Sequence, residues 1–447
     1  MERQIYKDLL KWKNTKHKKP LIFTGTRQVG KTYILKEFGK MEYKNTFHFD
    51  FDKEREDLIP IFEQTINPKK IIQNLSILRN KPINIETDLI IFDEVQLSPR
   101  TLTSLKYFSE DYTGASICAA GSLLGLSLGK ESYPVGKVSY LTLFPMTFYE
   151  FLINNKTPLL LDQFTKGLTG ELIEPAAHRK LLEILKIYYI TGGLPEVIKT
   201  YLNYKDDIQT ALEKVREIQK NLVKDYNNDF AKHSGKLNAI HIQTVYQNVP
   251  LQLAMSGDYS VNRYKFKDLI PGKKGFSAVQ GPVSWLEKAG LIIKVHIANK
   301  AELPLLNFCK DNIFKLYMFD IGILGTMLGI EPKTLMLDNY GITKGFFVEN
   351  FCLQEILASE EEKLISWSER NAEIEYVVPI GQEVIPVEIK SGKRTKSQSL
   401  TSFQNRYNPK YKIQITTKEL FISNKGHINI PLYYAGNFRK FIPGQHL

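Results

Sequence analysis

Gly25-Thr26-Arg27-Gln28-Val29-Gly30-Lys31-Thr32 is the stretch whose reading decides the fold. The apolar run Leu21-Ile22-Phe23 precedes it, and residues 33–38 read as helix. Strand, glycine-rich loop and helix in that order form the context of a phosphate-binding loop. Gly25 and Gly30 admit backbone angles that a Cβ forbids. The loop N–H groups and the helix N-terminus can then surround a β-phosphate. Lys31 is spaced to reach the β- and γ-phosphates, and the Thr32 hydroxyl to ligate Mg²⁺. Taken alone, a pattern this loose also occurs in chains that bind no nucleotide.

A second stretch narrows the choice. Leu89-Ile90-Ile91-Phe92 ends in Asp93-Glu94, as a buried parallel strand with carboxylates at its C-terminal end would. Open α/β sheets bind their ligands at that end. Asp93 is expected to hold Mg²⁺ through water and Glu94 to polarise the attacking water. Alone, the pair would read as a solvated strand end; with the loop at 25–32 it points to ATP and Mg²⁺ as ligands.

The totals agree with a globular protein of several domains. The chain has 447 residues, 43% hydrophobic and 24% charged, with a formal charge of +12. That balance favours an anionic partner such as DNA. Cys118, Cys309 and Cys352 stand far apart in apolar stretches, so neither a disulfide framework nor a zinc spacing is present. No apolar run approaches the roughly 20 residues of a membrane span, and the N-terminal residues lack a secretory apolar region. A cytoplasmic protein with no membrane association is expected.

In chain order, residues 2–13 form an amphipathic helix with Ile5, Leu9 and Trp12 on one face. Lys13, Lys16, Lys18 and Lys19 then form a basic linker, or a group that neutralises phosphates. Residues 46–50 alternate like a strand; His48 within it stands singly and reads as structural rather than as a ligand. Residues 56–80 read as helical, punctuated by Pro60 and Pro82. Residues 116–122 read as a buried strand that ends in Ser122, a candidate γ-phosphate sensor that could equally cap the helix expected at 123–128. A short β unit at 135–146 contains Gly136-Lys137. Helices at 147–154 and 176–190, with the break at Gly192-Gly193, suggest a helical lid over about 147–204.

Helices at 208–232, 239–256, 263–270 and 282–289, followed by the strand 291–295, suggest a winged helix-turn-helix. Gly281-Pro282 is tolerated in a first turn but not within a helix, so any groove-reading face is short or absent. The last third places Glu349 on a helix at 344–358, Glu375 on a strand at 372–378, and Glu388-Ile389-Lys390 on a strand at 384–390. Residues two apart share a strand face, so Glu388 and Lys390 point the same way, with Glu375 across from them. A carboxylate followed by E-x-K on adjacent strands is a restriction-nuclease layout in which carboxylates hold Mg²⁺. A cross-strand salt bridge is the alternative. Lys390, Lys393, Arg394 and Lys396 could grip a phosphate backbone or simply be solvated.

Taken together, these motifs resemble a prokaryotic family of AAA-type P-loop ATPases carrying a C-terminal winged-helix and PD-(D/E)XK nuclease-like domain of unknown function. The resemblance rests on Gly25–Thr32, Ile91–Gln96, Ala120-Gly121-Ser122, Leu143–Phe148, Gly192–Glu196, Phe314–Gly322 and Glu349 through Lys390. It implies an α/β chain: a parallel-sheet ATPase core with helical lid over 1–204, a helical or winged-helix module over 205–335, and a nuclease-like α/β domain over 336–447. Two departures stand out. Lys137 replaces an arginine that would sense the γ-phosphate or act as a finger, and it lacks the planar fork. Glu375 stands where the family usually has aspartate, which puts cleavage in doubt. Three functions follow as expectations: an Mg²⁺-dependent ATPase that rearranges a DNA-associated module, a nucleotide-switched regulator whose C-terminal domain only binds a partner, and an ATP-gated nuclease. A homo-oligomer is left open, as is whether a neighbouring subunit supplies a positive side chain.

Overall fold

Apolar runs at 21–23, 89–92 and 117–120 have no polar face to turn to water, and each becomes a fully covered strand. The computed structural model describes residues 1–122, 134–234, 236–255, 263–337, 344–360, 363–392 and 397–444. The chain divides into two compact units, Met1–Phe144 and Pro145–Leu447.

The first unit runs α1 (Ile5–Asn14), β1 (Leu21–Gly25), α2 (Lys31–Glu42), β2 (Thr46–Asp50), α3 (Arg55–Gln64), α4 (Pro68–Leu78), β3 (Leu89–Asp93), α5 (Pro99–Asp111), β4 (Ile117–Ala120) and β5 (Ser139–Leu143). Its sheet has the order β2-β3-β4-β1-β5, with every pair parallel. Helices cover it, as parallel crossovers require. One face buries Phe49, Phe51, Phe62 and Phe92 in mutual ring contact. The helical stretch expected at 56–80 is two helices, α3 and α4. Asn67 starts the second by accepting the Lys70 N–H, with Pro68 in its first turn.

The second unit begins with α6 (Phe148–Asn154), α7 (Pro158–Leu168), α8 (Pro175–Thr191) and α9 (Pro195–Tyr204), followed by α10 (Ile208–Ser234), α11 (Lys236–Met255), α12 (Ser277–Lys288), β6 (Ile292–Ala298) and β7 (Cys309–Met318). It continues with α13 (Ile321–Met327), α14 (Pro332–Met336), α15 (Lys344–Glu360), β8 (Leu364–Glu369), β9 (Ala372–Ile374), β10 (Tyr376–Ile380), β11 (Glu383–Ile389), α16 (Gln398–Tyr407), β12 (Lys412–Thr416), β13 (Phe421–Ile422) and β14 (His427–Pro431). Two sheets result, β7-β6-β8-β9 and β10-β11-β12-β14-β13.

Four expectations need correction. The expected lid at 147–204 belongs to the second unit. Buried side chains tie it there: the Glu355 carboxylate accepts the Phe148 N–H at 3.0 and 3.1 Å, and Asp320 accepts the Gly193 N–H at 2.6 Å. A domain boundary at 335/336 would cut a sheet, because β6 pairs in parallel with β8, Val295 opposite Leu364. Residues 263–270 form no helix; the Tyr264 N–H bonds instead to the Phe314 carbonyl at 2.8 Å. Finally, α12 starts at Ser277 and carries Pro282 inside it, buried with Val279, Val283, Trp285 and Leu286. Packing of that apolar face holds a helix that local propensity would have stopped.

Candidate functional site

The parallel order brings the C-terminal ends of β1, β3 and β4 to one edge of the first sheet, where such sheets bind ligands. Positive φ at Gly25 (148°), Gln28 (68°) and Gly30 (93°) folds the loop back over the start of α2. At Gly25 a Cβ would lie 2.3 Å from the Leu143 carbonyl oxygen. Only glycine fits this close approach of β1 to β5. Thr26 is buried and Val29 completely so.

Lys31 opens α2 with 8% of its surface exposed, and its Nζ donates to the Gly25 and Thr26 carbonyls at 2.8 and 2.9 Å. Burial pushes its ammonium down to about 8, against the pull of Glu94 and Asp93 and with Arg27 adding to the depression. A buried cation whose hydrogen bonds among the described residues go to neutral carbonyls gains strongly from an anion. Thr32 Oγ1 donates to Asp93 Oδ2 at 2.6 Å, which joins the two sequence motifs directly. His48 Nε2 lies 3.1 Å from the same oxygen. Burial alone would raise the Asp93 carboxyl; the bonds from His48 and Thr32 outweigh it and hold the group below its usual value. An ionised Asp93 beside a threonine hydroxyl is a donor set that suits a hard, oxygen-loving cation.

Glu94 follows at φ 51° and ψ 38°, a left-handed conformation rare for glutamate and frequent at functional sites. Ser122 lies two residues past β4, 6% exposed, and accepts from Arg27 Nε at 3.4 Å. The helix it was expected to cap, 123–128, falls outside the described residues. Thus Gly25, Thr26, Arg27, Gln28, Val29, Gly30, Lys31, Thr32, Asp93, Glu94 and Ser122 share one edge.

Lys137 does not. Ser139, two residues later, pairs with Leu21 at the start of β1, whereas Leu143 pairs with Gly25 at its end. The chain therefore carries Lys137 at the opposite edge of the sheet, where its Nζ pairs with Glu110 at 3.0 Å. It cannot reach a phosphate held by its own loop. Arg3, in contrast, was not singled out from the sequence. Its guanidinium donates to the Val29 carbonyl at 3.0 Å and the Phe144 carbonyl at 2.6 Å, bracing the loop from behind. An arginine before an amphipathic helix carries no local signal of such a contact.

In the second unit the four residues expected at a nuclease-like centre do cluster. The strand expected at 372–378 is split: β9 joins one sheet, β10 the other, and Glu375 sits at the junction. Its carboxylate accepts the Ile389 N–H at 3.0 Å. Glu388, 1% exposed, meets Lys390 Nζ at 2.5 Å through Oε1, while its Oε2 is buried with no hydrogen-bond partner among the described residues. Glu349 accepts from the Tyr317 hydroxyl at 3.2 Å. Burial raises Glu375 well above the usual carboxyl range, with Glu388 adding to it. Burial likewise raises Glu349, against the pull of Lys315. Lys390 is raised by Glu375 and Glu388 although burial opposes them. A second buried lysine, Lys315 on β7, pairs with Glu373. The sequence hinted at it, since Lys315 and Tyr317 alternate with Phe314 and Leu316. Among the described residues no group of three His, Cys, Asp or Glu side chains is arranged to hold a metal ion. Lys393, Arg394 and Lys396 lie outside the described residues.

Among the described residues no helix is long and apolar enough to cross a membrane. Residues 17–152 match the family model of an AAA domain. Residues 182–334 and 344–435 match two domains of unknown function, DUF8612 and DUF4143. No curated protein matches the chain. Among solved structures, Drosophila ORC bound to DNA is 12% identical and covers 72% of this chain and 94% of its own, at a TM-score of 0.27. The Aeropyrum pernix ORC1 protein in complex with DNA is also 12% identical, covering 73% and 91%, at 0.27. Likenesses that low carry no weight for function. The AAA match, on the same residues that form the loop, the acidic strand end and the parallel sheet, supports a nucleotide-binding ATPase domain of the AAA type.

Proposed function

We propose that the chain is an Mg²⁺-dependent ATPase that uses hydrolysis to rearrange a DNA-associated, nuclease-like C-terminal module. The observation that carries it is the Thr32–Asp93 bond at 2.6 Å, with Lys31 behind it and Glu94 beside it. Thr32 and Asp93 would hold Mg²⁺, which would offset the charge of the triphosphate. The 25–32 loop binds the phosphates, Lys31 exchanges its two carbonyl partners for phosphate oxygens, and Ser122 contacts the γ-phosphate. Glu94 takes a proton from the attacking water. Glu94→Gln is expected to retain ATP and turn over at least a hundredfold more slowly, the worth of a general base. Full turnover by that variant would sink the assignment.

For the C-terminal unit we infer a DNA-binding rather than a cutting role. Against cutting stands the chemistry of the cluster, since Lys390 and Lys315 already engage Glu388 and Glu373; for an anionic partner stands the formal charge of +12. Among the described residues no three such side chains are arranged to hold a metal ion, and no cleavage step is assigned to them. A winged-helix reading of this stretch draws on the order α11, α12, β6, β7, with α12 spent on packing. The regulator reading, in which this unit binds another partner, draws on the same self-neutralised cluster. Labelled DNA incubated with Mg²⁺, with and without ATP, separates the readings. Salt-dependent binding without cutting supports the first, and neither binding nor cutting supports the second. Cutting lost in Lys390→Ala would establish a nuclease and overturn both.

A further inference from the structure

Gln96 stands two residues beyond the Asp93-Glu94 pair, in the single 3-10 turn Val95–Leu97 that follows β3. The turn is closed by the Leu97 N–H on the Glu94 carbonyl and the Ser98 N–H on the Val95 carbonyl, both at 3.0 Å. It brings the Gln96 side chain back onto Glu94, and Gln96 Nε2 donates to Glu94 Oε2. Gln96 is 7% exposed, and its Oε1 is buried with no hydrogen-bond partner among the described residues. A buried amide oxygen without a donor is costly, and a bound water is the donor best suited to complete it.

We propose that Gln96 is a positioning residue for hydrolysis: its amide N–H fixes the Glu94 carboxylate, and its amide oxygen accepts from the water that Glu94 activates. This rests on the nucleotide site proposed above. In the step served, the water's O–H bond breaks and its proton passes to Glu94. Its oxygen bonds the γ-phosphorus, and the bond to the ADP oxygen breaks with the electron pair leaving on ADP. Gln96 exchanges no proton. A glutamine is suited to this task because it donates to a carboxylate and accepts from a water at once.

The test combines ATP affinity, kcat and a double-mutant cycle. Gln96→Met keeps the length and removes both polar atoms. It is expected to leave the ATP Kd within threefold and to lower kcat by about 10- to 100-fold, the worth of one hydrogen bond to a charged group. In a Glu94→Gln background the same substitution is expected to have no further effect, since Gln96 acts through Glu94. Should Gln96→Met melt early, Gln96→Asn serves: it keeps the amide but is one methylene short, and the same loss of kcat at unchanged Kd is expected. A folded Gln96→Met or Gln96→Asn protein with kcat within twofold of the parent overturns the proposal, as does an undiminished effect in the Glu94→Gln background. A parent protein that binds no ATP overturns the nucleotide site itself, a distinguishable failure.

Discussion

Lys137→Ala is expected to leave ATP hydrolysis almost untouched. The five residues of β1 separate the level of Leu21 from that of Gly25 by about 13 Å, at roughly 3.3 Å per residue. Lys137 lies beyond the far end of that span, 42% exposed, with Glu110 at 3.0 Å. Across 13 Å of water one unit charge contributes about 0.3 kcal/mol. Against a triphosphate of about four charges that becomes roughly 1 kcal/mol, which a Debye length of about 8 Å cuts some fivefold. The remainder changes kcat or KM by less than twofold. A side chain that bonds the γ-phosphate in the transition state would instead cost about a hundredfold or more. The assay is steady-state ATP turnover over a range of ATP and protein concentrations, with Glu110→Ala in parallel. A loss above tenfold in Lys137→Ala would refute the in-cis geometry. If that loss also varied with protein concentration, Lys137 would be acting on a neighbouring copy.

Two other perturbations follow from the same structure. Gly25→Ala places a Cβ 2.3 Å from the Leu143 oxygen at a φ of 148°; it should cost about 1–3 kcal/mol of stability and weaken ATP binding at least tenfold, and unchanged melting and binding would contradict the fit described for this glycine. Burial raises Glu355 from its ordinary 4.5 to about 8. The folded carboxyl holds its proton to higher pH than the unfolded one, so its contribution is fully present below about pH 4.5 and lost as pH rises through about 8. The ceiling is about 5 kcal/mol. Glu355→Gln, which keeps an acceptor for the Phe148 N–H, should melt like the parent at pH 5 and on the order of 10 °C higher at pH 9; an equal difference at both pH values would contradict it.

What was legible in the sequence was local. The loop at 25–32 and the strand 89–93 announce themselves by glycine spacing and unbroken apolar runs, and both form where they were expected. The meeting of Thr32 with Asp93 could be expected from the motif pair, because parallel sheets gather strand ends at one edge. Contacts set by the fold were not legible. Arg3 reaches Val29 and Phe144 only because α1 packs beside the P-loop helix. His48 stands singly in the sequence, and its bond to Asp93 depends on β2 lying beside β3. Lys137 lies away from the loop because β5 runs parallel to β1, a pairing that the local sequence does not announce. In the second unit, Glu349, Glu375, Glu388 and Lys390 gather although the strand expected at 372–378 is split at Glu375. Lys315, which pairs with Glu373 and pulls on Glu349, arrives from a strand far back in the sequence. The placement of 147–204 and the sheet that crosses 335/336 follow from buried hydrogen bonds and strand pairing over long separations. Periodicity is silent about both.

Calorimetric titration of the folded full-length chain with ATP, in the presence and absence of Mg²⁺, addresses the nucleotide site most directly, with Lys31→Ala as the comparison. The expected result is saturable binding to one site per chain, strengthened by Mg²⁺ and lost in Lys31→Ala. A folded parent protein that takes up no ATP, or a Lys31→Ala protein that binds as the parent does, would contradict the assignment of residues 25–32 to the triphosphate.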